Sequence, residues 1–219
     1  MDKNFKHEIT QQLQAYINEQ EKLGKLPDME SLKRFLGDMI TVQNRTSIAD
    51  FNGFTSEQMY QMINNPLGKE CPVQLRKLSN REIEEIPFLK QALHLLRALC
   101  EKELKLTPQG YIPPKLVTEL YELGLSDWCS DSYKQKLESR VEVVQVLRIA
   151  LKECGIIKVR DGKMSLTTKG GRIIKDYNAL LYALMVFLLF DFNTGYFDLY
   201  NDIEIGNIGR LYSLWLLHH

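Results

Sequence analysis

The chain has 219 residues, with 28 lysines and arginines set against 28 aspartates and glutamates, 44% apolar and 26% charged residues. That composition excludes a disordered, collagen-like or supercharged chain, and the length is ample for one large domain or two small ones. A formal charge of zero excludes coating of nucleic acid or anionic membrane by bulk charge, while leaving room for a local patch.

Phe5, Ile9, Leu13, Tyr16 and Ile17 fall on one face of a helix predicted over about residues 4 to 22. Gly24 and Pro27 interrupt it, and Asp28 or Ser31 then caps a second helix whose apolar face is Leu32, Phe35, Leu36, Met39 and Ile40. Thr55 with Gln58 makes a capping box for a short helix that ends at Asn64-Asn65-Pro66. A second box, Ser79 with Glu82, precedes Pro87, which suits the first turn of a long helix from Phe88 to about Lys102.

From there the order helix, strand, Leu-Thr-x-x-Gly, helix occurs twice. Leu106-Thr107-Pro108-Gln109-Gly110 leads into an amphipathic stretch from Lys115 to Leu123, and Leu166-Thr167-Thr168-Lys169-Gly170 leads into a helix from about Arg172. The two Leu-Thr pairs are 60 positions apart. The second copy carries alternating segments, Ile156 to Arg160 and Lys163 to Thr167, around Asp161-Gly162, the preferred pair for a two-residue hairpin turn.

A helix, Gly155-Ile156-Ile157, a turn and then Leu166-Thr167-Thr168-Lys169-Gly170-Gly171-Arg172 resembles the recognition helix and wing of bacterial winged helix-turn-helix proteins. A second resemblance, carried by Phe51 to Met59, Asn65-Pro66 and Leu106 to Pro113, is to a widespread uncharacterised bacterial family with Leu-Thr-x-x-Gly motifs. This chain departs from that family's pattern at Phe54 and Tyr111, and the resemblance transfers no catalytic residue. Together they imply a mainly α fold. Its expected parts are an N-terminal helical region over residues 1–78, a winged-helix-like unit with a reduced wing over 79–132, and a second with a complete wing and apolar C-terminal helices over 133–219.

Residues 133–175 hold eleven bases against four acids, while residues 1–132 carry a net −3 and residues 176–219 a net −4. A winged-helix reading places Arg140, Gln145, Arg148, Lys152, Lys158, Arg160 and Lys163 on a helix and wing facing duplex DNA, with Gln145 and Arg148 reading base edges. The plainer reading is a solvated face, since Glu138 and Glu142 lie in the same window. Two functions therefore stay open: a DNA-binding or regulatory module, or an interaction or scaffold domain of a longer chain that meets a protein partner or its own further domains.

No catalytic or metal chemistry is expected. Cys71, Cys100, Cys129 and Cys154 are spaced by 29, 29 and 25 positions with no Cys-x-x-Cys pair, so neither a metal nor a disulfide framework is predicted, and small buried thiols in a cytoplasmic protein are. Only His7 and His94 are internal histidines, and His94 stands six residues from Cys100, on another helical face. No Walker or dinucleotide loop is present, and Asp191 to Gly195 lacks the spacing of a calcium loop. No enzyme and no cofactor are expected. The run Ala179 to Phe190 has 12 apolar residues, where a bilayer needs about 20, so it is predicted to be a core helix rather than a membrane span. The apolar Tyr212 to Leu217 runs straight into His218-His219, an ending expected of a polypeptide that continues further or was trimmed of a tag.

Overall fold

A computed structural model describes residues 3–124, 136–193, 195–196 and 209–218. These residues are mainly helical, with one small three-stranded antiparallel sheet. Their contacts divide the chain into two compact units, residues 1–64 and residues 65–219.

The first unit contains α1 (Lys3–Lys22), α2 (Met29–Asn44), a 3-10 turn at Ala49–Phe51 and α3 (Ser56–Asn64). Asp28 starts α2 by accepting a hydrogen bond from the Ser31 N–H at 2.8 Å. The Thr55 box is complete: its N–H donates to Gln58 Oε1 at 2.9 Å, and the Gln58 N–H donates to Thr55 Oγ1 at 3.1 Å. Tyr16 and Phe35 stack with ring centroids 4.2 Å apart. Two helices side by side still shield each other on one flank only, and Met62 is the single fully buried residue among the described side chains of this unit.

The second unit runs α4 (Asn80–Glu85), α5 (Pro87–Glu101), β1 (Leu104–Lys105), α6 (Pro114–Gly124), α7 (Glu142–Glu153), β2 (Ile157–Arg160), β3 (Lys163–Leu166), α8 (Thr168–Ile173), α9 (Tyr177–Val186) and α10 (Arg210–His218). It begins at Asn65, earlier than the expected boundary at residue 78, because the intervening segment is held by this unit. The Leu78 N–H donates to Asn178 Oδ1 and Asn178 Nδ2 donates back to the Leu78 carbonyl, both at 2.9 Å.

The division expected near residue 132 is not a seam in sheet or core. The strand order is β1-β3-β2, so the strand expected to be the first unit's reduced wing is the outer strand of the second unit's hairpin. One continuous apolar core joins α5 and α6 to α7, the sheet and α9, with Leu93, Leu96, Leu120, Leu147, Leu151 and Met164 all essentially inaccessible. The apolar run of α9 is core on one flank: Leu180, Leu181 and Leu184 are buried, while Tyr182 is 46% exposed. After α9 the chain widens into a π-helical turn, Phe187–Asp191. No helix among the described residues is long and apolar enough to cross a membrane.

Candidate nucleic-acid interface

Asp161 and Gly162 both take positive φ, 51° and 70°, the pair of left-handed residues that a type I′ turn requires, and Arg160 and Lys163 face each other across it. The hairpin register pairs Val159 with Met164, Lys158 with Ser165 and Ile157 with Leu166. On the other side, β1 pairs Leu104 with Met164 and Lys105 with Lys163. Directly opposed residues share a face and faces alternate along each strand. One face therefore carries Leu104, Ile157, Met164 and Leu166 toward the core, and the other carries Lys105, Lys158, Arg160 and Lys163.

Lys105, Lys163 and Arg160 form a single cross-strand row, one base from each strand, and all three are exposed. Like charges directly opposed weaken a sheet. Two acids lie beside the row, Glu103 with its carboxylate 3.4 Å from Lys163 Nζ and Asp161 at 3.4 Å from Arg160 Nε. Both pairs are more than half exposed, where such contacts are worth little.

The helix gives a different result. Arg148, read from the sequence as a base-edge reader, turns inward: its Nη1 donates to both carboxylate oxygens of Glu138, at 3.0 and 3.1 Å, and to the Gly110 carbonyl at 2.9 Å. Its side chain is 19% exposed and that of Glu138 only 4%. Glu138 also accepts the Ile112 N–H. The pair thus clamps the turn after β1 to the start of α7 and is unavailable to a groove. Gln145 is half-buried, Arg140 and Lys152 are exposed, and Lys152 stands 3.4 Å from Glu153. With Arg148 withdrawn, the outer surface of α7 holds Glu142, Lys152 and Glu153, an acidic balance unsuited to phosphates. Of the seven residues expected to face DNA, the sheet gathers Lys158, Arg160 and Lys163 together. Lys105 was missed, because only its pairing with a strand far along the chain places it beside them.

The other reactive groups are dispersed. His94 Nε2 lies 3.2 Å from Glu119 Oε2, on α6, rather than beside Cys100. Cys71 is buried, Cys154 half-buried and Cys100 exposed, so the expectation of buried thiols holds only in part; Cys129 lies outside the described residues. Burial, with Asp191 and Glu153 nearby, pushes the Cys154 thiol above its ordinary range, against an opposing pull from Lys169. Among the described residues no group of three or more His, Cys, Asp or Glu is placed to hold a metal ion. Comparison with protein families, with curated proteins and with solved structures gives no match for this chain.

Proposed function

We propose that the protein binds duplex DNA through the basic face of its sheet, and that it acts as a non-enzymatic DNA-binding or regulatory module. The observation that carries this reading is the row Lys105, Lys163 and Arg160, with Lys158 on the same face. Repulsion within the row is relieved when a polyanion lies across it, and each phosphate contact releases a counterion. The succession α5, β1, α6, α7, β2, β3 is that of one winged helix, which supports the resemblance of the hairpin to a wing. Contact is made by the wing and sheet more than by α7, whose outer face lacks a basic excess. Such contacts position a protein on the backbone and carry little sequence information.

The test is binding to duplex DNA over a range of salt, with Lys105→Ala and Arg160→Ala variants. Each variant is expected to make the slope of log affinity against log salt shallower by about one. Absence of binding at low salt, or variants with the parent's slope, removes the proposal. Arg148→Ala is no probe of this surface, since its loss acts on the fold.

A second reading, contact with a protein partner, is favoured by the first unit. None of Ile9, Leu13, Ile17, Leu32, Phe35, Leu36 and Met39 is fully buried, and Ile40 is 47% exposed. An apolar dye such as anilinonaphthalenesulfonate should bind the intact chain and bind less to Ile40→Asp; an unstained native chain rules this reading out.

A further inference from the structure

A hollow of about 930 Å³ lies among α7, α8, α9, the π-helical turn and the residues just after it, and none of the basic-row residues lines it. Its floor is aliphatic and aromatic, with Ile149, Ile173, Ala179, Ala183, Val186 and Phe187. Its rim carries three further rings, Tyr182, Phe192 and Tyr196, and three charged groups, Glu153, Asp191 and Lys169. The size is that of a site for a drug-sized molecule, and an apolar floor with a few charged groups at the mouth is the usual form of such sites.

The sign of the mouth follows from what each charge already does. Lys169 Nζ donates to the Cys154 carbonyl at 2.7 Å, at the C-terminal end of α7, where the negative end of the helix dipole offsets part of its charge. Glu153 has a weak, exposed contact with Lys152 at 3.4 Å. Asp191 closes the π-helical turn, in which the Phe192 N–H reaches back to the Phe187 carbonyl at 2.9 Å. That wider turn sets Asp191 on the rim beside Phe192, whose ring meets that of Phe187 at 55° with centroids 5.9 Å apart. The tilted pair Phe187 and Phe192, two half-exposed tyrosines and two rim carboxylates against one ammonium together offer a seat for a delocalised positive charge on an apolar body.

We propose that this hollow binds an amphipathic organic cation, its apolar body on the aliphatic floor and its charge between the rim rings and the carboxylates of Asp191 and Glu153. The site is built by α7, α8, α9, the π-helical turn and the residues just after it, and none of its lining residues belongs to the basic row, so it stands whether or not the sheet face meets DNA. Because Cys154 lines the same hollow, an occupant there also covers its thiol.

Tetraphenylphosphonium and tetraphenylborate share one shape and differ in sign, and binding of each to the full chain, without DNA, can be measured by calorimetry. The phosphonium is expected to bind one to one and at least about tenfold tighter than the borate. Asp191→Asn, an exposed position that leaves the core intact, should weaken the phosphonium by about three- to tenfold and spare the borate. Saturating phosphonium should also slow iodoacetamide alkylation of Cys154, followed by peptide mass spectrometry, while leaving Cys100 unchanged. Equal or reversed selectivity between the two ions, an unaltered affinity in Asp191→Asn, or an unprotected Cys154 overturns the proposal.

Discussion

Arg148 lies on an amphipathic helix at a position that helical periodicity assigns to the outside, and it is turned inward by a carboxylate ten residues earlier in the chain and a carbonyl 38 residues earlier. No local pattern encodes that choice; the long side chain takes whichever partner the tertiary fold offers. Removing it leaves the Glu138 carboxylate buried without its counter-charge, so Arg148→Ala should destabilise the protein by about 3 kcal/mol, measured by denaturant unfolding. The capping boxes were readable for the opposite reason, since both partners stand within one turn. At Ser79 the box is complete and Arg76 Nη2 adds a bond to Glu82 at 2.8 Å. The Ser79 backbone N–H, then Arg76 and the Ser79 hydroxyl, hold the Glu82 carboxyl down at about 2 instead of 4.5. A depressed folded value means stabilisation present above the ordinary value and lost as pH falls toward the folded one. The melting-temperature difference between the parent and Glu82→Ala should therefore be full near neutral pH and shrink as pH drops from about 4.5 toward 2.

At the scale of elements, the twice-repeated Leu-Thr-x-x-Gly is one string of letters with two structures. In the first copy Thr107 and Gly110 close a turn, the Gly110 N–H donating to the Thr107 carbonyl at 2.8 Å, and Gly110 takes φ 81°. In the second, Thr167 caps α8 by accepting the Gly170 N–H at 3.0 Å, and Gly170 lies inside the helix. There a Cβ would fall 2.2 Å from the Ile156 carbonyl oxygen, a backbone atom that cannot step aside. The first glycine is needed for its dihedral angle, the second for lack of a side chain. Gly110→Ala should cost about 1 kcal/mol and Gly170→Ala about 2 kcal/mol or more, so thermal melting should rank the second as the more damaging. The hairpin was legible because Asp161-Gly162 and the flanking alternation specify turn and register together. A strand before the first Leu-Thr was also expected, but its place in this sheet was not legible: β1 is two residues long, and its partner β3 lies far along the chain.

The molecule as a whole divides its core unequally. The second unit holds an apolar cluster spanning Ile83 to Phe187, whereas the first has one fully buried residue among its described side chains. A fragment of residues 65–219 should unfold cooperatively in urea, while residues 1–64 alone should lose helix gradually, without a sharp transition; a steep transition in the short fragment would contradict this account. Mainly helical architecture was readable from amphipathic periods and caps. The joining of the two expected winged units was not, because strand order is a property of pairing and not of pattern.

That pairing also sets when the basic row can exist. Lys105 and Lys163 are 58 residues apart, and the loop between them includes α6 and α7, so their juxtaposition waits on closure of a long loop, a slow, non-local event in folding. A chain still emerging from synthesis, or one locally opened at β1, has the same lysines and arginines but not the row. Multivalent anions should therefore favour the closed sheet over the open one and slow its unfolding, which makes the charge pattern a register of completed folding as well as a surface.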